Sequence, residues 1–204
     1  VSTEVTFIQG RIERRFDVVI WCNGIPLVIG EAKSPVRPAC TWIDAAAQIN
    51  DDYEKNVPAF FVPNVLSFGT EGKDFRYGSV GMPVNLWGPW REEPSETDQA
   101  PVVGLAHVQE SVDGLLTPAV ILDYLRFFTV YATDSKHRKI KIIARYQQFQ
   151  GANAIIDRVL LGKIRKGLIW HFQGSGKSLL MVFTAQKLRA ALDLASPTVL
   201  IVVD

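Results

Sequence analysis

The stretch that decides the fold runs from Asp17 to Lys33 and reads DVVIWCNGIPLVIGEAK. Two runs rich in β-branched residues flank the dipeptide Asn23-Gly24, which favours the tight turn of a β-hairpin. These apolar runs predict two paired strands with at least one buried face. Charged residues stand at both ends of the predicted hairpin, and charges that emerge from buried strands need a specific role or partner.

The charged residues of the hairpin have the composition of a metal-dependent hydrolytic site. Asp17 and Glu31 offer the oxygen ligands that Mg²⁺ prefers, and phosphodiester hydrolysis needs such a cation to neutralise charge and activate water. Lys33 follows Glu31 by two residues, so on a strand both side chains project from one face. A cation there can position the attacking water and offset charge in the transition state. An ordinary hairpin with solvated charges is the alternative.

The turn of the hairpin decides whether the two carboxylates can share a metal. In a regular hairpin, a two-residue turn at Asn23-Gly24 places Asp17 and Glu31 on opposite faces. A three-residue turn over 22–24, or a β-bulge, returns both carboxylates to the same face. We therefore predict one of these two irregularities.

A second chemical motif lies near the end of the sequence, where residues 171–178 read HFQGSGKS. A strand-like run precedes it and a helical pattern follows, as in loops that present backbone N–H groups to phosphates at a helix N-terminus. The predicted loop contains Gly174, Ser175 and Gly176. Lys177 is expected to reach the β- and γ-phosphates of ATP, and Ser178 to bind Mg²⁺. A glycine turn with a surface lysine is the alternative, since His171 replaces the first glycine of the strict pattern.

The remaining pattern predicts a mixed α/β chain. Helices are expected over 39–53, 117–131, 145–161 and 177–192, and strands over 59–66, 167–172 and 198–203. The helix at 177–192 and its two flanking strands would form a βαβ unit, which implies a parallel sheet. Thr117 is the expected cap of its helix, with Pro118 at the first helical position. Residues 92–101 are expected to form an acidic loop and 134–139 a charged turn.

Composition sets the limits of these interpretations. The 204 residues suffice for one large or two small domains. The net charge of +1 means that any nucleic-acid contact depends on local patches. Cys22 is expected to be a buried thiol rather than half of a disulfide, which fits a reducing cytoplasm. No signal peptide, membrane-spanning run or zinc-ligand spacing is evident. The termini, Val1 and Asp204, suggest a part of a larger protein.

The first half of the chain resembles the nuclease core of type I restriction enzyme motor (R) subunits, which belongs to the PD-(D/E)xK superfamily. The resemblance is carried by RFD at 15–17, NGIPLV at 23–28 and EAKSP at 31–35. It implies that Asp17 and Glu31 are metal ligands and that Lys33 is the catalytic lysine. Phe16 stands where the family usually has a proline.

The family often continues with a helix that bears a glutamine and, a few residues on, a tyrosine. Gln48 and Tyr53 fit this pattern, but five residues separate them where four or fewer is more usual, which leaves the role of Tyr53 open. Gln48 is expected to contact the DNA backbone or a metal-bound water. A surface or capping glutamine is the alternative.

The loop motif resembles motif I of superfamily 2 helicases, including the type I motor subunits. Upstream, ARYQQF at 144–149 resembles the glutamine motif that reads adenine in these motors. An amide can satisfy both the donor and the acceptor edge of adenine. We favour Gln148 as this residue and keep Gln147 as the alternative, with Arg145 or Tyr146 packing nearby. Asp204 comes too soon to be the acidic motif of ATP hydrolysis, so the chain alone is expected to bind nucleotide weakly without turning it over.

Together the resemblances imply a PD-(D/E)xK-type mixed-sheet endonuclease domain over 1–115, a helical linker over 116–139 and the first βαβ unit of a RecA-like P-loop domain over 140–204. They imply an ATP-dependent, DNA-translocating endonuclease subunit of a type I restriction–modification system. Such a subunit uses Mg²⁺ and ATP, acts on double-stranded DNA, and joins methyltransferase and specificity subunits in the cytoplasm, away from any membrane.

Two other functions fit the same residues. A helicase–nuclease fusion of DNA repair would share both motifs but would lack a methyltransferase partner. A DNA-binding module would use the hairpin as a structural element and would hold DNA without cutting it. Loss or retention of cleavage after replacement of Asp17 separates the binding module from the nuclease.

Overall fold

The computed structural model describes residues 1–37, 39–91, 104–164, 166–172 and 174–202. Its main element is a five-stranded sheet in the order β1-β2-β3-β4-β5. The strands are β1 (Ser2–Gln9), β2 (Ile12–Cys22), β3 (Ile25–Ala32), β4 (Leu66–Thr70) and β5 (Phe75–Gly78). Neighbouring strands are antiparallel except β3 and β4, which are parallel. The predicted mixed α/β class is confirmed.

The hairpin of β2 and β3 contains the predicted irregularity. Its turn has two residues, Asn23 and Gly24, whose φ angles of 49° and 80° suit a tight hairpin turn. A β-bulge shifts the register at Trp21. Continuing the register beyond this bulge places Asp17 opposite Glu31, so both side chains lie on the same face. The bulge alternative is therefore confirmed, and the three-residue turn does not form.

A helical segment packs on β3 and β4 after the hairpin. It begins with α1 (Trp42–Ala47), which Thr41 caps by accepting a hydrogen bond from the Ile43 N–H. The backbone then widens into a π-helix (Gln48–Tyr53) and ends with α2 (Glu54–Asn56). The helix predicted over 39–53 is thus present with shifted ends, and its second half has π rather than α geometry.

The strand predicted over 59–66 is wrong. Residues there form α3 (Pro58–Phe61), and β4 begins only at Leu66. Pro58 occupies the first helical position, where its missing N–H has no consequence. Phe60 and Phe61 are adjacent yet both pack against Phe16, which a helical turn permits and a strand, with alternating faces, does not.

The middle of the chain contains two helices and a second, two-stranded antiparallel sheet. The elements are α4 (Leu105–Leu115), α5 (Pro118–Arg126), β6 (Thr129–Thr133) and β7 (Lys139–Ile143). The Thr117 side chain caps α5 as predicted. The helix ends at Arg126 instead of residue 131, because the β-branched residues of β6 pair with β7. The predicted charged turn joins these two strands.

The last part contains α6 (Tyr146–Leu161) and α7 (Lys177–Ala190), both as predicted. The strands predicted on either side of α7 are wrong for residues 167–172 and 198–202, which form no strand. Leu168 and Trp170 are 84% and 88% exposed. Their apolar side chains suggest burial in a sheet, but a strand also needs a neighbour to complete its hydrogen bonds. Within the described residues the βαβ unit therefore does not form.

Two hydrophobic clusters hold the described elements together. One lies between the first sheet and helices α1 to α3 and centres on Phe16, which is fully buried. The other joins β5 to the helices that follow, through Tyr77, Tyr124, Phe149 and Phe183. This second cluster includes residues from each of the three predicted parts of the chain. The division into 1–115, 116–139 and 140–204 stays a prediction.

Three further expectations concern the acidic loop, membrane-spanning helices and the two cysteines. The acidic loop at 92–101 lies outside the described residues. None of the described helices is both long and apolar enough to cross a membrane. Cys22 and Cys40 are free thiols in half-buried positions.

Candidate active site and nucleotide loop

The first polar cluster is built by the hairpin and the helical segment above it. Asp17 on β2 and Glu31 on β3 face each other across the strand pair. The π-helix places Gln48 and Tyr53 over this position. An ion pair links the same helix to β2, since the Arg14 guanidinium lies 2.7 Å from the Asp52 carboxylate.

Hydrogen bonds connect the members of this cluster. Lys33 Nζ lies 2.7 Å from Glu31 Oε1 and also donates to Gln48 Oε1. Gln48 Nε2 donates to the Tyr53 hydroxyl, and that hydroxyl lies 3.1 Å from Glu31 Oε2. The four side chains therefore form a closed ring. We call Glu31, Lys33, Gln48 and Tyr53 the acid–lysine ring. The Gln48 side chain is half-buried, and both of its amide atoms bond within the ring.

The π-helix explains how Tyr53 joins the ring. In an α-helix, residues five apart do not lie on one face. A π-helix bonds residue i to residue i+5, and such turns often occur at functional sites. The one-residue excess between Gln48 and Tyr53 is therefore absorbed by the wider turn. The sequence did not assign a role to Tyr53, because α-helical geometry was assumed. The spacing of five residues from Gln48 to Tyr53 was itself the sign of a π-helix.

Electrostatics in the ring are dominated by the burial of Glu31. This residue is only 3% exposed, and burial raises the pKa of its carboxyl group. The hydrogen bond from Lys33 lowers the same pKa, while the nearby Asp17 carboxylate raises it. Asp17 is itself held in place, because its Oδ2 accepts the Ala32 N–H at 2.9 Å. Burial and the neighbouring Glu31 raise the pKa of Tyr53, so its hydroxyl stays protonated.

The donor set fits a hard divalent cation. Asp17 and Glu31 present carboxylate oxygens from facing strands, and Mg²⁺ typically takes one or two carboxylates and completes its shell with water. No group of three or more His, Cys, Asp or Glu side chains in the described part of the chain is arranged to hold a metal. With two carboxylates as its protein ligands, a cation would take its remaining oxygens from water or substrate.

The second polar cluster surrounds the glycine loop before α7. Gly174 and Gly176 adopt φ angles of 84° and 78°, which favour glycine. Gly176 caps α7, whose first turn leaves backbone N–H groups free for an anion. Lys177 Nζ folds back onto the loop and donates to the carbonyl of Phe172 at 2.9 Å. Ser178 is exposed on the first turn of the helix.

Gln148 reaches this loop from the first turn of α6. Its Nε2 donates to the carbonyls of Ser175 and Gly176 at 3.3 and 3.1 Å, and its Oε1 accepts the Arg145 N–H at 2.9 Å. The side chain is 2% exposed. A Cβ atom at Gly176 would lie 2.2 Å from Gln148 Nε2. The structure thus brings Gln148 to the loop, while the choice between Gln148 and Gln147 as adenine reader stays open.

Two buried polar atoms near the loop lack partners among the described residues. They are Ser175 Oγ and His171 Nδ1. Unpartnered buried polar atoms are uncommon in folded proteins and often meet a ligand or water. Sequence reasoning placed Ser175 in the loop but could not foresee this, because burial depends on Gln148 and α6.

The fold and its polar clusters define a mixed α/β protein with an acid–lysine ring on its sheet and a glycine loop at a helix N-terminus. Comparison with known proteins gives a family match for each end of the chain. Residues 1–83 match the family described as type I restriction enzyme R protein N terminus, and residues 147–204 match the SWI2/SNF2 ATPase family.

Two relatives extend the match along the chain. The type I restriction enzyme HindI endonuclease subunit of Haemophilus influenzae is 34% identical over 193 residues, which cover 92% of this chain. A Methanocaldococcus jannaschii protein, provisionally named type I restriction enzyme MjaVIIP endonuclease subunit, is 32% identical over 205 residues and 93% of this chain. The chain spans 18% of the length of each relative. It belongs to the family of type I restriction enzyme R proteins and matches their N-terminal region.

Proposed function

We propose that this chain carries the DNA-cleaving centre and the nucleotide-binding loop of a type I restriction endonuclease subunit. The observation that carries the proposal is the acid–lysine ring beside Asp17. The ring contains a buried carboxylate and a lysine, and Asp17 adds an opposing carboxylate on the same sheet face. The names of the relatives support the same function. The sheet is proposed to be a PD-(D/E)xK nuclease fold.

In the proposed cleavage reaction, Asp17 and Glu31 hold Mg²⁺. The bound ion would neutralise phosphate charge and lower the pKa of an attacking water. Lys33 Nζ stands at hydrogen-bond distance from Glu31, so it can orient that water and offset charge on the phosphate. Gln48 accepts a hydrogen bond from Lys33 and thereby holds the lysine in this direction. Tyr53 and burial restrict the Glu31 carboxylate to one geometry.

The glycine loop is proposed to bind the phosphates of ATP. Its two glycines and the N-terminus of α7 offer backbone N–H groups. On binding, Lys177 would exchange its loop carbonyl partners for the β- and γ-phosphates, and Ser178 would bind the nucleotide's Mg²⁺. Gln148 contacts the loop backbone and accepts the Arg145 N–H, and both residues are proposed to lie beside the base. The match to the SWI2/SNF2 ATPase family supports this part of the proposal.

The whole protein is proposed to translocate double-stranded DNA at the expense of ATP and to cut it within a complex. That complex would include the methyltransferase and specificity subunits, which recognise the sequence. The relatives' names support a restriction role over a DNA-repair fusion.

Cleavage of plasmid DNA by the full-length protein with its partner subunits, ATP and Mg²⁺ tests the proposal. Asp17→Asn should lower cleavage by at least about a hundredfold, because a metal ligand is lost. ATP hydrolysis should persist. Asp51→Asn is the matched control, since Asp51 is exposed and pairs with Lys55 on the helix surface. If Asp17→Asn cuts DNA at the wild-type rate, the nuclease proposal is wrong and a DNA-binding hairpin takes its place.

A further inference from the structure

Two consecutive residues of β2 contact two consecutive residues of the π-helix. Arg14 forms the ion pair with Asp52, and the carbonyl of the next residue, Arg15, accepts a hydrogen bond from the Tyr53 hydroxyl at 2.9 Å. The same strand carries Asp17. The strand that contributes one carboxylate of the site is therefore joined to the helix that completes the acid–lysine ring.

The ion pair between Arg14 and Asp52 has a fixed geometry. Arg14 Nε lies 2.9 and 2.8 Å from the two carboxylate oxygens, and Nη2 lies 2.7 Å from Oδ1. A guanidinium that contacts both oxygens of a carboxylate fixes direction as well as distance. Arg14 Nη1 also donates to the Glu13 carbonyl at 2.8 Å, and Asn56 Nδ2 donates to Asp52 Oδ1 at 2.6 Å. The hydrogen bond from Arg14 lowers the pKa of Asp52, so this carboxylate stays charged at neutral pH.

Asp51, the residue before Asp52, provides a contrast within the same helical turn. Its carboxylate pairs with Lys55 at 2.6 Å, and both side chains are largely exposed. Both members of this pair belong to the segment 48–56, so the pair does not join that segment to the sheet. The two neighbouring acids thus carry the same charge, but Asp52 pairs with β2 whereas Asp51 pairs within its own helix.

The geometry of the π-helix decides which side chains reach the ring. A π-helical turn bonds residues five apart, and such turns are rare, so contacts from outside the helix are needed to favour one here. In α geometry, Gln48 and Tyr53 would point roughly 140° apart and could not both face the ring. Asp52 directly precedes Tyr53, so a carboxylate held on Arg14 limits the directions that the Tyr53 side chain can take.

We propose that Arg14 and Asp52 are positioning residues for DNA cleavage, and that their ion pair holds the π-helix in the geometry that the reaction needs. Neither side chain has to touch DNA or the metal. They act through Tyr53 and Gln48, which hydrogen-bond to the buried carboxylate and to the lysine of the ring. This inference rests on the proposed cleavage reaction and adds the residues that keep its catalytic side chains in one arrangement.

The test compares plasmid cleavage with ATP hydrolysis by the full-length protein with its partner subunits, ATP and Mg²⁺. Arg14→Met and Asp52→Asn should each slow cleavage by about ten- to a hundredfold, as a small misplacement of catalytic groups does. ATP hydrolysis should not change. Arg14→Lys should keep more cleavage than Arg14→Met, because lysine keeps the charge but lacks the planar fork. Asp51→Asn, the matched control, should cleave DNA as the wild type does.

A double variant shows whether the two residues act through each other. Arg14→Met combined with Asp52→Asn should cleave no more slowly than the slower single variant, because the same interaction is lost only once. Losses that multiply in the double variant would overturn the proposal. Slow cleavage in Arg14→Met with normal cleavage in Asp52→Asn would also overturn it and would indicate that Arg14 contacts DNA directly. Equal slowing by Asp51→Asn would reduce the effect to the charge of the helix and would likewise contradict the proposal.

The remaining outcomes separate this inference from a general structural role and from the proposed function. A parallel fall in ATP hydrolysis would mean that the ion pair only stabilises the fold, which contradicts a positioning role. Wild-type cleavage in both Arg14→Met and Asp52→Asn, with cleavage still lost in Asp17→Asn, would refute the inference alone. Wild-type cleavage in Asp17→Asn would refute the proposed cleavage function, and with it the basis of the inference.

Discussion

Gln48 and Tyr53 are five residues apart, and the π-helix between them brings their side chains into a direct hydrogen bond. In an α-helix, residues with this spacing point roughly 140° apart. The wider turn reduces that difference, and the Tyr53 hydroxyl lies 3.1 Å from Glu31 Oε2. The backbone irregularity therefore completes the acid–lysine ring.

Tyr53→Phe should weaken DNA cleavage by about tenfold near neutral pH, because Gln48 Nε2 and Glu31 Oε2 both lose a partner in a buried place. The pH profile gives a second readout. The Tyr53 hydrogen bond lowers the pKa of Glu31, so its loss raises that pKa further above the ordinary value. Because cleavage requires ionised Glu31, the acid limb of the rate profile should move to higher pH.

The control for this change is Tyr131→Phe, since Tyr131 is 72% exposed and distant in sequence from the ring. A Tyr53→Phe variant with wild-type cleavage and an unshifted acid limb would remove Tyr53 from the site.

Gly176→Ala should weaken binding of ATP by at least about tenfold. The added Cβ would lie 2.2 Å from Gln148 Nε2, and the φ angle of 78° disfavours any L side chain. Gly162→Ala is a matched control because its φ is 65° but no atom lies within 4 Å of the added Cβ. That control should lose about 1 kcal/mol of stability and keep its nucleotide affinity. Equal effects of both variants on affinity would mean that the contact with Gln148 is unimportant.

Phe16→Ala should lower the free energy of unfolding by about 3–5 kcal/mol, as the loss of a fully buried aromatic ring does. Phe16 has no exposed surface, and its ring stacks on Phe60 with centroids 4.5 Å apart. Urea unfolding followed by tryptophan fluorescence measures the change. Ile8→Ala, at a side chain 61% exposed, should change the same free energy by less than about 0.5 kcal/mol. Similar losses in both variants would contradict the assigned core.

Glu54→Gln should change how stability depends on pH. Burial raises the pKa of Glu54 from 4.5 to about 7. A raised folded-state pKa contributes stability that is fully present below pH 4.5 and is lost as pH rises through about 7. Glu54→Gln should therefore remove the fall in stability across this window. Thermal unfolding at several pH values measures it, and the same fall in the variant would exclude Glu54 as its source.

Lys141 produces the opposite slope at higher pH. Burial lowers its pKa from 10.5 to about 8. The unfolded chain then binds more protons between these values, so stability should recover as pH rises from about 8 towards 10.5. Lys141→Met should lose this recovery while Glu54→Gln keeps it. Recovery that persists in Lys141→Met would assign it to another group.

Some local structure could be predicted from the sequence, and so could the residues whose side chains suit a metal site or a phosphate-binding loop. Asn23-Gly24 specified a tight turn. The requirement that Asp17 and Glu31 share a face predicted either a three-residue turn or a bulge, of which the bulge formed. Thr117 specified the start of α5, and helices α6 and α7 formed where the sequence predicted them. These features depend on interactions between residues near each other in the chain, so the local sequence is sufficient to predict them.

Tertiary structure decided the features that depend on distant partners. The aromatic residues of α3 pack on Phe16, which overrode their strand propensity. Arg14 on β2 anchors the π-helix through Asp52, and this helix brings Tyr53 to Glu31. Gln148 closes on Gly176 from another helix. Sequence by itself therefore determined which residues have the chemistry of a site. Only folding decided which of them meet, because burial and side-chain partners are set by contacts between segments far apart along the chain.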